Sequence, residues 1–220
     1  MGWMAKLRDL LFPQRCILCR KVLTGSRPWC DQCLKSLEAQ ESVFNGMFVM
    51  SCWAALCYEG AVREAIIRFK FKGNRAYAGE FGRIVARCVS AHLAGQYDLV
   101  TWVPVSRKRK RQRGYDQAML LAEAAALELQ DVAVAALEKI VDNPAQSGLA
   151  SQAERRSNVL GAYRVTDPEL VAGKRILLLD DIVTTGATIE EAGRTLLDAG
   201  AKAVVGAALA RPKEHTKDSE

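Results

Sequence analysis

The chain lacks any apolar run long enough to cross a bilayer as a helix. Its longest such runs, Ile176 to Leu179 and Ala203 to Leu209, fall far short of the roughly 20 residues a helical crossing needs. The opening MGWMAKLRDLLF has neither the long apolar core nor the small-residue cleavage site of a secretory signal, and reads instead as an amphipathic helix. A soluble, cytoplasmic chain without membrane insertion is the expectation. Histidine is scarce too: His92 falls in a helical stretch and His215 in a polar tail, neither beside a motif, which argues against a hydrolytic triad. No G-x-x-x-x-G-K-[ST] sequence occurs, so the Walker-B-like end of the strand ILLLDD does not belong to a P-loop nucleotidase. A glycine-rich dinucleotide fingerprint and internal repeats are also missing.

Two concentrations stand out against these absences. The formal net charge of +6 lies in one place: Arg107, Lys108, Arg109, Lys110, Arg111 and Arg113 are six bases with no acid among them, and without them the chain has 25 bases against 25 acids. Such a cluster is either a solvated charge run or the footprint of a phosphate ligand or nucleic acid. Seven cysteines in a chain expected to stay in a reducing compartment argue against a disulfide framework. Four of them, Cys16, Cys19, Cys30 and Cys33, form two C-x-x-C pairs ten residues apart, the spacing that lets four thiolates converge on one structural zinc ion. Cys52, Cys57 and Cys88 show no pairing and read as buried thiols.

Residues 1–40 therefore read as a short helix and a zinc knuckle that takes its folding energy from the metal. Residues 41–211 read as the main α/β domain, and 212–220 as a disordered tail. Apolar spacing predicts helices over Ala61 to Phe71 and around Phe81 to Val89, both ahead of the sheet. Tyr97 to Ser106 reads as a buried strand, followed by a basic loop and a helix over Asp116 to Leu129 capped by Asp116. Asp131 to Leu137 is a further candidate strand, though rich in alanine. The strongest unit comes last: a strand at Arg175 to Leu179, a helix at Thr188 to Ala199 with Thr188 and Glu191 in capping-box register and a stop at Gly200, and a strand at Ala203 to Leu209. Together they make a βαβ unit of a parallel sheet.

The first of these strands runs into DDIVTTGAT. In an open parallel sheet, ligands bind where strands end, and the following helix offers unpaired N–H groups to an anion. Thr184, Thr185, Gly186, Ala187 and Thr188 supply donors, hydroxyls and close approach for a phosphate monoester. Asp180 and Asp181 repel that phosphate and call for hydroxyls or a metal ion. A sugar phosphate such as ribose 5-phosphate satisfies both halves. The competing reading is an ordinary strand, turn and helix with Asp and Thr as turn residues.

ILLLDDIVTTGAT resembles the phosphoribosyl pyrophosphate (PRPP) signature of type I phosphoribosyltransferases. CILC…WCDQC, YEGAVREAIIRFKFKG, VPVSRKRKRQRGYDQA, QSGLASQAERRSNVLGAY and that signature stand in the order seen in the ComF family of phosphoribosyltransferase-like proteins, from about Cys16 to Arg211. The resemblance implies a type I phosphoribosyltransferase-like parallel sheet flanked by helices, with a small N-terminal four-cysteine zinc subdomain. It places Asp180 and Asp181 at the ribose hydroxyls, and Thr184 to Thr188 at the 5-phosphate. Pro104, Val105, Ser106 and Arg107 fall in a pyrophosphate loop, and the basic run through Arg113, Gly114 and Tyr115 in a mobile loop. The sequence departs from the family pattern at Tyr115 and Asp116, where Phe and Asn are common.

Phosphoribosyl transfer needs a held and neutralised leaving group rather than a protein nucleophile, so magnesium with PRPP is the implied cofactor and Arg107 and Arg113 are the candidate pyrophosphate contacts. Three functions follow: a phosphoribosyltransferase of unknown acceptor, a PRPP-binding protein of DNA uptake working with DNA-uptake or helicase proteins, or a zinc-knuckle adaptor with a vestigial site. The intact acidic and threonine elements speak against the third. For the second, the basic run and RFKFKGNR, with Phe69 and Phe71 among bases, offer a weak single-stranded-DNA surface.

Overall fold

The computed structural model describes residues 13–25, 27–37, 41–142 and 159–213. The expected first helix, the whole QSGLASQAERRSN stretch and the end of the tail lie outside them. The elements run in the order α1 (Asp31–Leu37), β1 (Ser42–Phe44), β2 (Cys52–Cys57), α2 (Gly60–Phe71), α3 (Tyr77–His92), β3 (Leu99–Trp102), α4 (Arg107–Arg113), α5 (Gln117–Glu128), β4 (Leu137–Lys139), β5 (Tyr163–Val165), α6 (Pro168–Val171), β6 (Arg175–Ile182), α7 (Ala187–Asp198) and β7 (Ala203–Arg211). Five strands form one sheet in the order β1-β2-β7-β6-β3, parallel except for the edge strand β1, and β4 and β5 pair separately as an antiparallel ribbon.

Burial on both faces dictates this arrangement. Ile176 to Leu179 of β6 are wholly buried, as a central parallel strand requires, and their side chains alternate between two cores. Leu177 and Leu179 pack with α3 and α5 on one face, while Ile176 and Leu178 pack with Ile189, Ala192 and Leu196 of α7 on the other. The βαβ unit β6-α7-β7 stands as its apolar pattern predicts.

Several expectations change. The sheet begins before the two helices, because Cys52–Cys57 is a buried strand paired to β7. Asp131 to Leu137 gives only an isolated bridge from Ala133 to Val100, and the strand proper is Leu137–Lys139. The basic run is a helix rather than a loop, capped by the Ser106 side chain at Arg109 N–H and closed by Gly114 in the left-handed region. The start of α7 also differs. Its cap is Gly186 at φ 77°, with no side-chain cap bond, while the Glu191 carboxylate accepts the Gly161 N–H at 2.7 Å and pairs with Arg194. The capping-box reading of Thr188 and Glu191 is therefore replaced by a glycine turn that leaves the helix start without a side-chain cap.

The cysteine knuckle is joined to the main body. Leu18 and Trp29 belong to the same core as Phe69 and Phe81, and the Trp29 and Phe81 rings stack at 6.4 Å. Arg68 of α2 donates to the carbonyls of Ile17, at 2.9 Å, and Leu18. Among the described residues, no helix is long and apolar enough to cross a membrane.

Candidate functional site

At the carboxyl end of β6 the last two strand positions before Ile182 are acids. Asp180 and Asp181 are 8% and 4% exposed, at the floor of an open cavity of about 630 Å³. Pro104, Val105, Arg113 and Thr188 line it with them. Asp180 Oδ1 accepts the Asp181 N–H at 2.7 Å. Asp181 Oδ1 receives Lys70 Nζ at 2.9 Å, and its Oδ2 is buried with no partner. Burial first, and then the neighbouring Asp181, push the Asp180 carboxyl well above the usual carboxylate range.

The loop after the acids makes a second, small hollow of about 30 Å³ lined by Asp180, Thr184, Gly186, Ala187 and Thr188 among others. Gly186 is required twice over: its φ of 77° suits glycine, and a Cβ there would stand 2.1 Å from the Phe44 ring. Thr185 Oγ1 is buried without a partner. An unsatisfied buried hydroxyl and an unsatisfied carboxylate oxygen, at the two ends of one short loop, are both costly unless a ligand completes them.

Across the cavity, the loop after β3 is tied down by Asp116. This buried carboxylate accepts Val105 N–H at 3.0 Å and, as the cap of α5, Ala118 and Met119 N–H at 3.0 and 3.1 Å. Its charge is thus spent on backbone donors at the place where the sequence departs from the family pattern. Tyr115, the other departure, is buried and donates its hydroxyl to the Phe69 carbonyl.

The basic helix divides its residues between two sides. Arg113 reaches the cavity, with its guanidinium over the Phe71 ring at 4.7 Å and bonded to Gln117 Oε1 at 2.7 Å, and burial lowers its pKa. Arg109 and Gln112 line the cavity as well. Arg107 and Ser106 instead line a separate hollow of about 510 Å³ against the β4-β5 ribbon, where Arg107 is 3.7 Å from Glu138 and Ser106 bonds Asp142. The RFKFKGNR stretch is split likewise: Phe69 is wholly buried, Phe71 is exposed, and Lys70 turns into the cavity instead of outward.

Lys70, Lys139 and Tyr163 escaped sequence reasoning. Lys70 had a signal, because it lies four residues after the buried Ile66 on the same helix face. Lys139 stands 5.2 Å over the Tyr163 ring, and burial, reinforced by Arg109, brings its ammonium down to about 8.

The cysteines meet as their spacing predicts. The Sγ atoms of Cys16, Cys19, Cys30 and Cys33 lie within 4.8 Å of one another, with Cys19 and Cys30 at 3.6 Å. Two tight turns bring them there, with Arg20 at φ 68° bonded back to the Cys16 carbonyl at 2.9 Å and Ile17 N–H to Pro28 O at 3.0 Å. Burial raises the Cys16 thiol, but backbone N–H groups of Cys19, Cys30 and Leu18 outweigh it and bring the pKa down to about 7. Four converging sulfurs with such donors fit a structural zinc ion.

A parallel sheet whose strand ends in two buried acids and a glycine-capped threonine loop, with a four-cysteine knuckle in front, defines a phosphoribosyltransferase-like protein with a zinc ribbon. The comparisons agree. Residues 116–220 match the phosphoribosyl transferase domain model, and residues 7–43 the double zinc ribbon domain model. The chain is 33% identical to competence protein ComFC of Streptococcus pneumoniae over 72% of its length and 67% of that protein's. It is 28% identical to ComFC of Bacillus subtilis, over 67% of this chain and 58% of that protein. It is 27% identical to competence protein F of Haemophilus influenzae, over 89% and 90%. This chain belongs to the ComF family.

Proposed function

We propose that the cavity binds PRPP with magnesium and that the chain transfers its 5-phosphoribosyl group to an acceptor. The observation that carries this reading is the pair of unpartnered buried oxygens, Asp181 Oδ2 and Thr185 Oγ1, flanking one loop. A ribose hydroxyl donates to the first, and a 5-phosphate oxygen accepts from the second. The phosphate also takes N–H groups at the start of α7, where the helix dipole favours an anion and no side-chain cap competes.

Asp180 and Asp181 are the hard oxygen donors at hand for magnesium, which when bound neutralises charge on the departing pyrophosphate. The chain's own part is to hold the sugar by its hydroxyls and phosphate and to stabilise the cation-like ribose with two carboxylates. Arg113 and Arg109 face the leaving group from the cavity wall, and Arg107 serves the outer end of the same helix. Pro104 and Val105 shape that wall, and Ser106 caps the basic helix beside it. We assign residues 1–40 to the metal-folded module and 41–211 to this binding domain.

Calorimetry with PRPP, with and without magnesium, tests the reading. Wild type is expected to bind, and Asp181→Asn to bind about ten- to hundred-fold more weakly, the cost of one charge-assisted hydrogen bond. Absence of binding by wild type, or full binding by the Asp180→Asn, Asp181→Asn double variant, overturns it.

A second reading is favoured by the competence proteins among the relatives and by the seven-residue basic helix α4. Here PRPP binding regulates a protein of DNA uptake, and α4 tracks single-stranded DNA with help from DNA-uptake or helicase proteins. Mass spectrometry of PRPP incubated with the protein and candidate acceptors separates the two, since only the first yields a ribosylated product.

A further inference from the structure

Two neighbouring carboxylates at the floor of a concave site are what a hard divalent cation seeks. In this chain one of their oxygens is already taken by a cation. Lys70 comes from the last turn of α2, its side chain 16% exposed, and holds Asp181 Oδ1 at 2.9 Å. Burying two acids side by side is costly without a compensating charge, so this pair has a stabilising role by itself. Its composition says more. Of the other cations that line the cavity, Arg113 contacts the Phe71 ring and Gln117 Oε1, Lys139 stands over the Tyr163 ring, and no ion pair joins Arg109 to either acid among the described residues. A lysine is a point charge on a flexible stem and can release a carboxylate that an arginine would hold by a planar fork. Its contact leaves Asp181 Oδ2 open.

We infer that Lys70 is a resident counter-ion that keeps free divalent cations off the carboxylate pair, so that the chain admits the metal only together with a phosphorylated sugar. The second half rests on the PRPP reading; the first does not. The ammonium supplies the positive charge that a bare cation would otherwise bring, and charge repulsion makes the two exclusive.

Manganese is the probe, with its free concentration read by electron paramagnetic resonance on the zinc-loaded full chain in the absence of PRPP. Wild type is expected to bind manganese no more tightly than Asp181→Asn does. Lys70→Met should gain roughly tenfold or more in manganese affinity, Lys70→Arg should not, and the Lys70→Met, Asp181→Asn double variant should lose the gain. A folded Lys70→Met with normal zinc content and no gain overturns the inference. So does a wild type that binds manganese tightly and loses it on Asp181→Asn, a comparison that needs no Lys70 variant to fold. Separate calorimetry with PRPP and magnesium tests the parent reading: if manganese behaves as expected and PRPP does not bind, the counter-ion stands and the sugar-phosphate reading falls.

Discussion

Asp180→Asn should make the apo protein more stable and the PRPP complex weaker. The carboxyl is buried, sits beside Asp181, and is pushed well above the usual carboxylate range, first by burial and then by that neighbour. A carboxyl whose folded pKa is raised contributes stability that is full below its unfolded value and is lost as pH rises through the folded one. As pH rises above its unfolded value the group therefore opposes folding more and more. Asparagine removes the charge, is nearly isosteric, and keeps an oxygen for the Asp181 N–H that Oδ1 now accepts at 2.7 Å. The Lys70 to Asp181 ion pair stays. Replacing one of two buried like charges should gain about 1 kcal/mol, which for a chain of this size raises Tm by about 2 to 4 °C. PRPP should lose about 1.5 to 3 kcal/mol of binding, or ten- to hundred-fold in Kd. The assay is thermal unfolding of wild type and variant from pH 4 to 8, with PRPP calorimetry at pH 8. The gain in Tm should shrink as pH falls and the wild-type carboxyl takes its proton. A variant less stable at pH 8, or a difference that grows toward acid, refutes the burial argument; unchanged PRPP affinity refutes the ribose assignment.

Metal analysis should find one zinc on the cysteine knuckle, lost in Cys30→Ser. Chelation should lower the main calorimetric transition as well, because Leu18 and Trp29 share a core with Phe69 and Phe81; an unchanged main transition would contradict that coupling. Gly186→Ala should destabilise by at least about 1 to 2 kcal/mol for the left-handed backbone alone and abolish PRPP binding, because the new Cβ meets Phe44; thermal melts and calorimetry read both. Changing Lys108, Arg109, Lys110 and Arg111 to Ser should weaken single-stranded-DNA binding and flatten its salt dependence, measured by fluorescence anisotropy across a salt series.

What was legible in the sequence follows the range of the interactions. The β6-α7-β7 unit and the α5 cap are local: apolar spacing, an aspartate before a helix and a glycine after one decide them within a few residues. The cysteine cluster was legible for the same reason. The strand Cys52–Cys57 was not, because its reason is pairing with β7, some 150 residues away, and its apolar run alone carries no period. The basic stretch reads as a loop by charge, yet Ser106 and Gly114 were capping signals at its two ends. Lys70 belongs to a helix predicted correctly, but which carboxylate it meets depends on where the end of α2 stands relative to the end of β6. Arg107 and Arg113, equivalent in sequence, part ways because six residues of helix turn them to different faces of the ribbon and cavity.

Three aspartates around this cavity show how one side chain is given different work by its surroundings. Asp116 is buried, and burial holds its carboxyl above the usual carboxylate range, but three backbone N–H groups meet its oxygens and offset much of that cost, and its effect is to fix the loop at Val105 and the start of α5. Asp181 is held by an ammonium on one oxygen and leaves the other unfilled. Asp180 has a single backbone donor and bears the repulsion of Asp181, so it is the least compensated of the three. The order of compensation orders their proposed roles. A fully satisfied acid can position a wall but has little left to offer a ligand, while an under-satisfied one gains most when hydroxyls or a cation arrive. Substitution should sort them accordingly: Asp116→Ala should lower stability by about 0.5 to 2 kcal/mol through the lost cap, whereas Asp180→Asn should raise it, and thermal melts at pH 8 compare the two directly. If both variants melted lower, burial and hydrogen bonding would not be what distinguishes them, and the assignment of Asp180 as a ligand-facing acid would lose its physical basis.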